Sequence, residues 1–459
     1  MNKIQKYLYD HYQIKISDKI NDVATNLDGA TNAQIIFYRL NKNGEDAFKK
    51  RLEGSNPGLL ILNNSPKFNP GCPYLIVDEY KFEVSQKDVV DIFFPISAET
   101  KIVGVTGTNG KTSVCYFGMQ IANLLNIKSI SIGTVGVYGK SGKLKSEHRT
   151  TTPSMIEFRK ILFNHNPEVV FVEMSSHALE QERLGSLLLD AAAWTNFTQD
   201  HLDYHHDMES YFSSKLKITK IIKDNNPLMV NDTEQFLIEK LNELNVQFEK
   251  VENLRLKSQN IIFDLSFNLK NLSLAYSLLS KVMPGFSFSD VDTDLIFAPP
   301  GRFDVLKIGD NSFGVVDYAH TPDAVRQVID GVKNSFRDYK IITIVGCGGN
   351  RDKAKRPIMG KVACEMSDYV IFTSDNPRDE KPSQILLDIT ESLSFKNFEI
   401  EAKRDIAIKK GVDLISAKTI LLILGKGHEN YQEINGVKHD FDDKEILGKS
   451  VEAKYAINS

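Results

Sequence analysis

The chain has 459 residues, 41% hydrophobic and 25% charged, the balance of a globular protein long enough for about two to four domains. Fifty-six Lys and Arg against 60 Asp and Glu leave a net charge of -4, which argues against a broad nucleic-acid-binding face. Four scattered cysteines without a CxxC pair exclude a disulfide scaffold and a zinc ribbon; no apolar run reaches the roughly 20 residues of a membrane span, and MNKIQKYLYDHYQIKI lacks a signal-peptide core, so a cytoplasmic protein is expected.

Three sections follow one another, and together they predict a three-domain α/β fold. Residues 1–98 mix β-rich runs (33–40, 58–64, 74–80) with helical stretches, a small α/β domain that closes at FFPISAET (93–100). Residues 99–298 alternate apolar runs and helices: KIVGVTG (101–107), a helix from Lys111 to about Asn126, then SISIGTVG (129–136), VVFVEMS (169–175) and AAAWTNFT (191–198). Continuous apolar strands separated by helices predict a doubly wound, mainly parallel sheet of the P-loop type. The prolines and glycine of FAPPGRFD (297–304) break the pattern. Residues 299–459 alternate again, through SFGVVDYA, KIITIVG, DYVIFTSD and TILLILG, and predict a Rossmann-like domain. Every motif below falls at the carboxyl end of one of these strands, where such sheets bind ligands.

GVTGTNGKTS (104–113) joins a buried strand to a helix. Gly107 and Gly110 would let backbone N–H groups of Thr108 and Asn109 approach a phosphate, with the helix dipole behind them. Lys111 would reach the β and γ phosphates of ATP, Thr112 would ligate Mg²⁺, and Ser113 follows. The spacing departs from GxxxxGK[ST], because Gly104 lies one residue too early.

Glu173 ends VVFVEMS and should emerge beside the phosphate loop, where it could hold the Mg²⁺ on ATP. Downstream, NFTQDHLDYHHDMESYFSSKLK (196–217) places His201 and His205 four residues apart, a spacing that also suits zinc on one helix face, although HExxH is absent. Ser175-Ser176-His177 is no hydrolase signature, since chain neighbours do not form a triad and no GxSxG frames them.

These blocks, with TTP (151–153), EMSSHALEQERL (173–184), PPGRFDV (299–305), VDYAHTPDA (316–324), GGNRDKAKRPIMG (348–360), SDNPR (374–378) and LGKGHENYQ (424–432), resemble the ATP-dependent Mur ligases of bacterial peptidoglycan synthesis. The resemblance covers much of residues 100–445 and is strongest to the branch that adds meso-diaminopimelate. It implies an ADP-forming acid–amino-acid ligase acting on UDP-MurNAc-L-Ala-D-Glu through an acyl phosphate, with small-molecule substrates only and a monomeric state. It further implies that Lys215 is carbamylated by CO₂, and that His201 helps hold a second Mg²⁺. Thr151, Thr152, Ser175, Gln181 and Arg183 would hold the UDP-muramoyl peptide. Asn268, Asn271, Arg302 and Asp317 would contact ATP. Arg351, Asp375, Asn376, Pro377, Arg378, Gly425 and Glu429 would bind the amino acid, the arginine fork of DNPR suiting the distal carboxylate of meso-diaminopimelate that lysine lacks.

Two features depart from that family. TNLDGATNAQIIF (25–37) stands where an Asp-Ser-Arg motif is expected in the uridine-binding domain, and the stretch between Asn231 and Asn268 is short, with Ser266 where a glycine is usual. The competing readings are a relative with another acceptor, such as L-lysine or a folylpolyglutamate, and a nucleotide-binding paralogue without activity.

Overall fold

The structure is a computed structural model that describes residues 1–41, 43–146, 150–185, 187–223, 226–256, 260–309 and 311–456. Near the N-terminus, β1 (Asp22–Ala24), β2 (Gln34–Tyr38), β3 (Leu59–Leu62) and β4 (Tyr74–Ile76) form a parallel sheet in sequence order. The run at 74–80 is therefore strand only in its first half. Asp78 accepts from the backbone N–H of Lys81 and starts the helix Glu79–Phe93, because a capped helix satisfies the amides that a longer edge strand would leave open. The apolar core of this sheet includes Met155 and Ile156 from the next section, so the first two sections are packed together.

The central sheet contains β5 (Lys101–Thr106), β6 (Ser129–Gly133), β7 (Gly136–Gly139), β8 (Gly142–Leu144), β9 (Val169–Glu173), β10 (Ala191–Trp194), β11 (Leu228–Asn231) and β12 (Phe248–Val251). Its order is β12-β11-β10-β5-β9-β6-β7-β8, parallel except at the β6–β7–β8 end. The run SISIGTVG thus ends as a strand at Gly133 and turns back antiparallel. β5, β9 and β10 are buried along nearly their whole length by helices on both faces, which is why they read as unbroken apolar runs. Each fully buried Val or Phe in β5 and β9 contributes roughly 1.5–3 kcal/mol of transfer free energy.

The third sheet contains β13 (Asp304–Ile308), β14 (Ser312–Asp317), β15 (Lys340–Val345), β16 (Tyr369–Phe372), β17 (Phe398–Ile400) and β18 (Thr419–Leu424), in the order β13-β14-β18-β15-β16-β17. Only β13 is antiparallel. A hairpin, β19 (Tyr431–Ile434) with β20 (Val437–Asp440), stands apart from it. The helices Ser266–Val282 and Pro322–Ser335 meet across the central and third sections, where Leu265 and Phe267 close on the bare backbone of Gly331. Among the described residues no helix is long and apolar enough to cross a membrane.

Candidate active site

The phosphate loop is the four-residue turn from Gly107 to Gly110. Gly104 belongs to β5 and packs against Leu189, which explains why the glycine spacing departs from the usual motif. Gly107 has φ 145°, and a Cβ there would stand 1.8 Å from Thr195 Oγ1, so only glycine fits. The loop is braced by the segment after β10. Asn196 Oδ1 accepts from Asn109 N at 2.9 Å, Thr108 N donates to Asn196 O, and Thr108 Oγ1 donates to Thr198 O. The helix Lys111–Leu124 begins with Gly110, which supplies no side-chain cap, so its first amides point into the loop. Thr112 and Ser113 are buried in its first turn.

Lys111 Nζ donates to the carbonyls of Gly107 and Thr108 at 2.8 and 2.9 Å, and Lys215 Nζ donates to the same Gly107 oxygen at 2.7 Å. Lys215 is 1% exposed and lies over the ring of Tyr211. Burial, and then the neighbouring Lys111 charge, holds its amine well below the ordinary lysine range; Lys111 is lowered too, chiefly by burial.

Glu173 ends β9 and is 1% exposed. Its carboxylate accepts from Thr134 N at 2.8 Å and from Thr134 Oγ1 at 3.1 Å. A Cβ at Gly133 would come within 1.9 Å of Glu173 Oε1, so the last residue of β6 is bare where the carboxylate enters. His201, at φ 53°, precedes the short helix Leu202–His205, and its Nε2 lies 3.5 Å from Asp200 Oδ2. Desolvation lowers its imidazole to about 4, so the ring is neutral, the form that ligates metal. His205 is directed elsewhere, its Nε2 2.9 Å from Ser176 Oγ in the interior. The two histidines do not share a helix face, and among the described residues no cluster of three or more His, Cys, Asp or Glu could hold a metal.

The residues expected to hold the muramoyl peptide form one hydrogen-bonded group. Thr152 Oγ1 donates to Glu173 O and lies 3.4 Å from Ser175 Oγ; Arg183 donates to Thr152 O and to Gln181 Oε1; Thr151 Oγ1 is 3.2 Å from Thr134 Oγ1. A cleft of about 280 Å³ opens beside the phosphate loop, lined by Asn109, Asn271, Lys270 and Phe267 on one side and by Gln327 and Asp330 on the other. Asn271 lines this cleft. Asn268 does not, being 2% exposed with its amide donating to Ile262 O.

From the third section, Arg302 reaches toward the same loop with its guanidinium 4.4 Å from the centre of the Tyr318 ring; its Nε is buried and without a partner among the described residues. The Tyr318 ring lies 5.3 Å from that of His428, and Gly301 packs against the backbone of Gly427 and His428, so Arg302 stands beside the loop after β18. Asp317, raised from its ordinary value by burial, accepts from Phe303 N and Ala319 N at 2.7 Å each and so ties Arg302's loop to the end of β14.

The amino-acid residues converge at the ends of β15, β16 and β18. Asn376 Nδ2 donates to Glu429 Oε2 at 2.7 Å, and Arg378 donates through Nη1 to Gly349 O at 2.8 Å, its Nε 3.4 Å from Glu433 Oε2. A Cβ at Gly348 would lie 3.0 Å from Arg378 Nη1 and 3.6 Å from Arg351 Cγ, so both arginines flank one backbone turn. Asp375 approaches the backbone of Gly425, and the Pro377 carbonyl that of Gly349. Sequence reasoning missed Thr134, Asn196, Lys426 and Glu433, whereas Asp200 reads from the sequence as a carboxylate beside His201. Asn196 follows β10 at its carboxyl end, the same positional rule that picks out Glu173; the others had no signal of their own.

Comparison with known proteins agrees with this geometry. Residues 105–280 match the Mur ligase middle domain, and residues 301–427 match the Mur ligase, glutamate ligase domain. The UDP-N-acetylmuramoyl-L-alanyl-D-glutamate--2,6-diaminopimelate ligase of Rickettsia rickettsii is 35% identical over 464 residues, covering 92% of this chain and 94% of that protein. A solved structure of a ligase of that name superposes with a TM-score of 0.60 at 25% identity, covering 98% of this chain and 99% of the other. The MurF ligase of Thermotoga maritima, solved in complex with ADP, shares the fold at a TM-score of 0.63 and 13% identity, covering 96% of this chain and 100% of its own. With a curated relative aligned over nearly its whole length and two family domains in order along it, the chain belongs to the Mur ligase family.

Proposed function

We propose that the protein joins meso-2,6-diaminopimelate to the D-glutamyl side-chain carboxylate of UDP-MurNAc-L-Ala-D-Glu, with ATP cleaved to ADP and phosphate. The observation that carries this reading is the position of Arg302, which lies over the Tyr318 ring beside His428, on a segment where Gly301 packs against Gly427 and His428 of the loop that holds Glu429. Arg302 thereby stands at the amino-acid end of the site, from which domain closure would bring it to the nucleotide phosphates. The 35% identical relative named as a diaminopimelate ligase supports the choice of substrates.

In the first step a carboxylate oxygen attacks the γ-phosphorus of ATP, the bond to the β–γ bridging oxygen breaks, and ADP leaves an acyl phosphate behind. Little covalent chemistry is required of the protein, so positioning and charge neutralisation dominate. The amides after Gly107 and the Lys111 ammonium hold the phosphates. Thr152, Ser175, Gln181 and Arg183 orient the peptide beside Glu173. Arg302 meets the phosphates from the third section, which requires the domains (1–98, 99–298 and 299–459) to close on one another. In the second step the amine attacks the acyl carbon, a proton leaves the nitrogen, and phosphate departs. Arg378 and Arg351 hold the distal carboxylate of the incoming amino acid, and Glu429 with Asn376 its polar atoms.

Thr112, Glu173 and His201 would hold magnesium, which when bound neutralises charge on the transferred phosphoryl group. Lys215 suits modification by CO₂. Only a neutral amine reacts with CO₂, burial and then the Lys111 charge shift this one toward that form, and a carbamate there would face the Lys111 ammonium with the opposite charge. Mass spectrometry of the nucleotide product tests the proposal. A tripeptide formed from meso-diaminopimelate supports it; a lysine-containing product, or tight ATP binding with no product, selects one of the competing readings.

A further inference from the structure

We infer that Lys426 is a positioning residue for the amino-acid substrate; the inference rests on the function proposed above and adds to it how the acceptor pocket is held in shape. Lys426 sits between Gly425 and Gly427, both at positive φ, and the turn sends its side chain inward, where the residue is 0% exposed. Burying an ammonium costs several kcal/mol unless its protons are matched. Here they are matched by Asn376 Oδ1 at 3.2 Å, Glu429 Oε2 at 3.3 Å and the carbonyl of Tyr431, three acceptors for three N–H donors.

Two of those acceptors belong to residues expected to bind the amino acid. Asn376 Oδ1 also accepts from Glu433 N at 2.9 Å, so both of its lone pairs are engaged and the amide cannot flip. That orientation directs one Nδ2 hydrogen to Glu429 Oε2 and leaves the other uncommitted among the described residues. Glu429 Oε2 is shared by Lys426 and Asn376, which leaves Oε1 as the uncommitted acceptor. One buried ammonium therefore fixes a donor and an acceptor side by side, the pair that a carboxylate and an ammonium of an α-amino acid require. The Tyr431 carbonyl draws β19 into the same arrangement and with it Glu433, which lies against Arg378.

The test is steady-state ADP release by the full chain with all three substrates varied, for wild type, Lys426→Met, Glu429→Gln and the double variant. Loss of a charge-assisted hydrogen-bond network should raise the KM for meso-diaminopimelate about tenfold or more. The KM values for ATP and for the nucleotide peptide should stay within about twofold, because only the acceptor site loses preorganisation. The double variant should bind meso-diaminopimelate no worse than Glu429→Gln alone, since Lys426 acts through that carboxylate. Lys426→Arg retains the charge without the compact geometry, and should raise the same KM by a smaller factor, about threefold, even if the methionine variant does not fold. A general structural role would instead raise all three KM values together or give additive effects in the cycle, and either result overturns the inference. An active wild type with an unmoved KM in the variants overturns it alone. A wild type silent with meso-diaminopimelate overturns the proposed function as well.

Discussion

Lys111 and Lys215 donate to one carbonyl oxygen, that of Gly107, at 2.8 and 2.7 Å. Burial disfavours a charge on Lys215, and the Lys111 charge converging on the same acceptor disfavours it further. The helix Met208–Leu216 carries that lysine under the phosphate loop with Tyr211, whose hydroxyl donates to Thr108 Oγ1.

Lys215→Met should separate stability from activity. Between the lowered pKa of the folded state and the ordinary lysine value, the unfolded chain keeps a proton that the folded chain sheds. Lys215 therefore subtracts stability in that window, and the loss shrinks as pH rises through it. Removing the group should raise the Tm by about 2–4 °C in scanning calorimetry at neutral pH. Turnover should fall about 100-fold or more, with partial recovery on adding a short carboxylic acid that can occupy the carbamate's place.

Glu173→Gln keeps the acceptor for Thr134 N and removes the charge. The fold should survive, with a Tm close to that of wild type. The magnesium concentration giving half-maximal ADP release should rise, and kcat should fall about 100-fold. A magnesium titration with an unchanged midpoint would remove Glu173 from the metal's surroundings.

Gly107→Ala places a methyl group against Thr195 Oγ1 at a φ that alanine rarely adopts. The cost should be about 1–3 kcal/mol of stability, read by denaturant unfolding. Because the distorted turn is the phosphate cradle itself, ATP binding measured by calorimetry should be lost even where the protein remains folded.

Arg378→Ala should alter selectivity more than overall competence. Loss of charge-assisted contacts to the distal carboxylate should lower kcat/KM for meso-diaminopimelate about 10- to 100-fold. The value for L-lysine, which lacks that carboxylate, should change little. Equal losses for the two amino acids would show that Arg378 supports the loop rather than choosing the substrate.

Much of this architecture was legible in the sequence because parallel strands buried on both faces announce themselves as apolar runs, as at β5, β9 and β18. Edge elements were not: β7 and β8 hide in a glycine-rich stretch, and the antiparallel strand β13 begins where the FAPPGRFD break ends and drew no reading of its own. The placement of Glu173 at a strand end and of Lys111 at the start of the helix after the phosphate loop was legible in the sequence, whereas Asp375 was named only through the family resemblance. The site was illegible where the chain supplies only support. Thr134 and Lys426 look like ordinary turn residues until the fold carries them to Glu173 and Asn376. The pairing of His201 with His205 failed for a local reason: the left-handed backbone of His201 ends helical continuity before the spacing can operate.

The most direct measurement is ADP release by the purified protein with Mg²⁺-ATP, supplying UDP-MurNAc-L-Ala-D-Glu and an amino acid together and then omitting each in turn. The account predicts sustained release with meso-diaminopimelate, little with L-lysine, and none when the nucleotide peptide is left out. Release that is indifferent to the amino acid, or stronger with L-lysine, would contradict it.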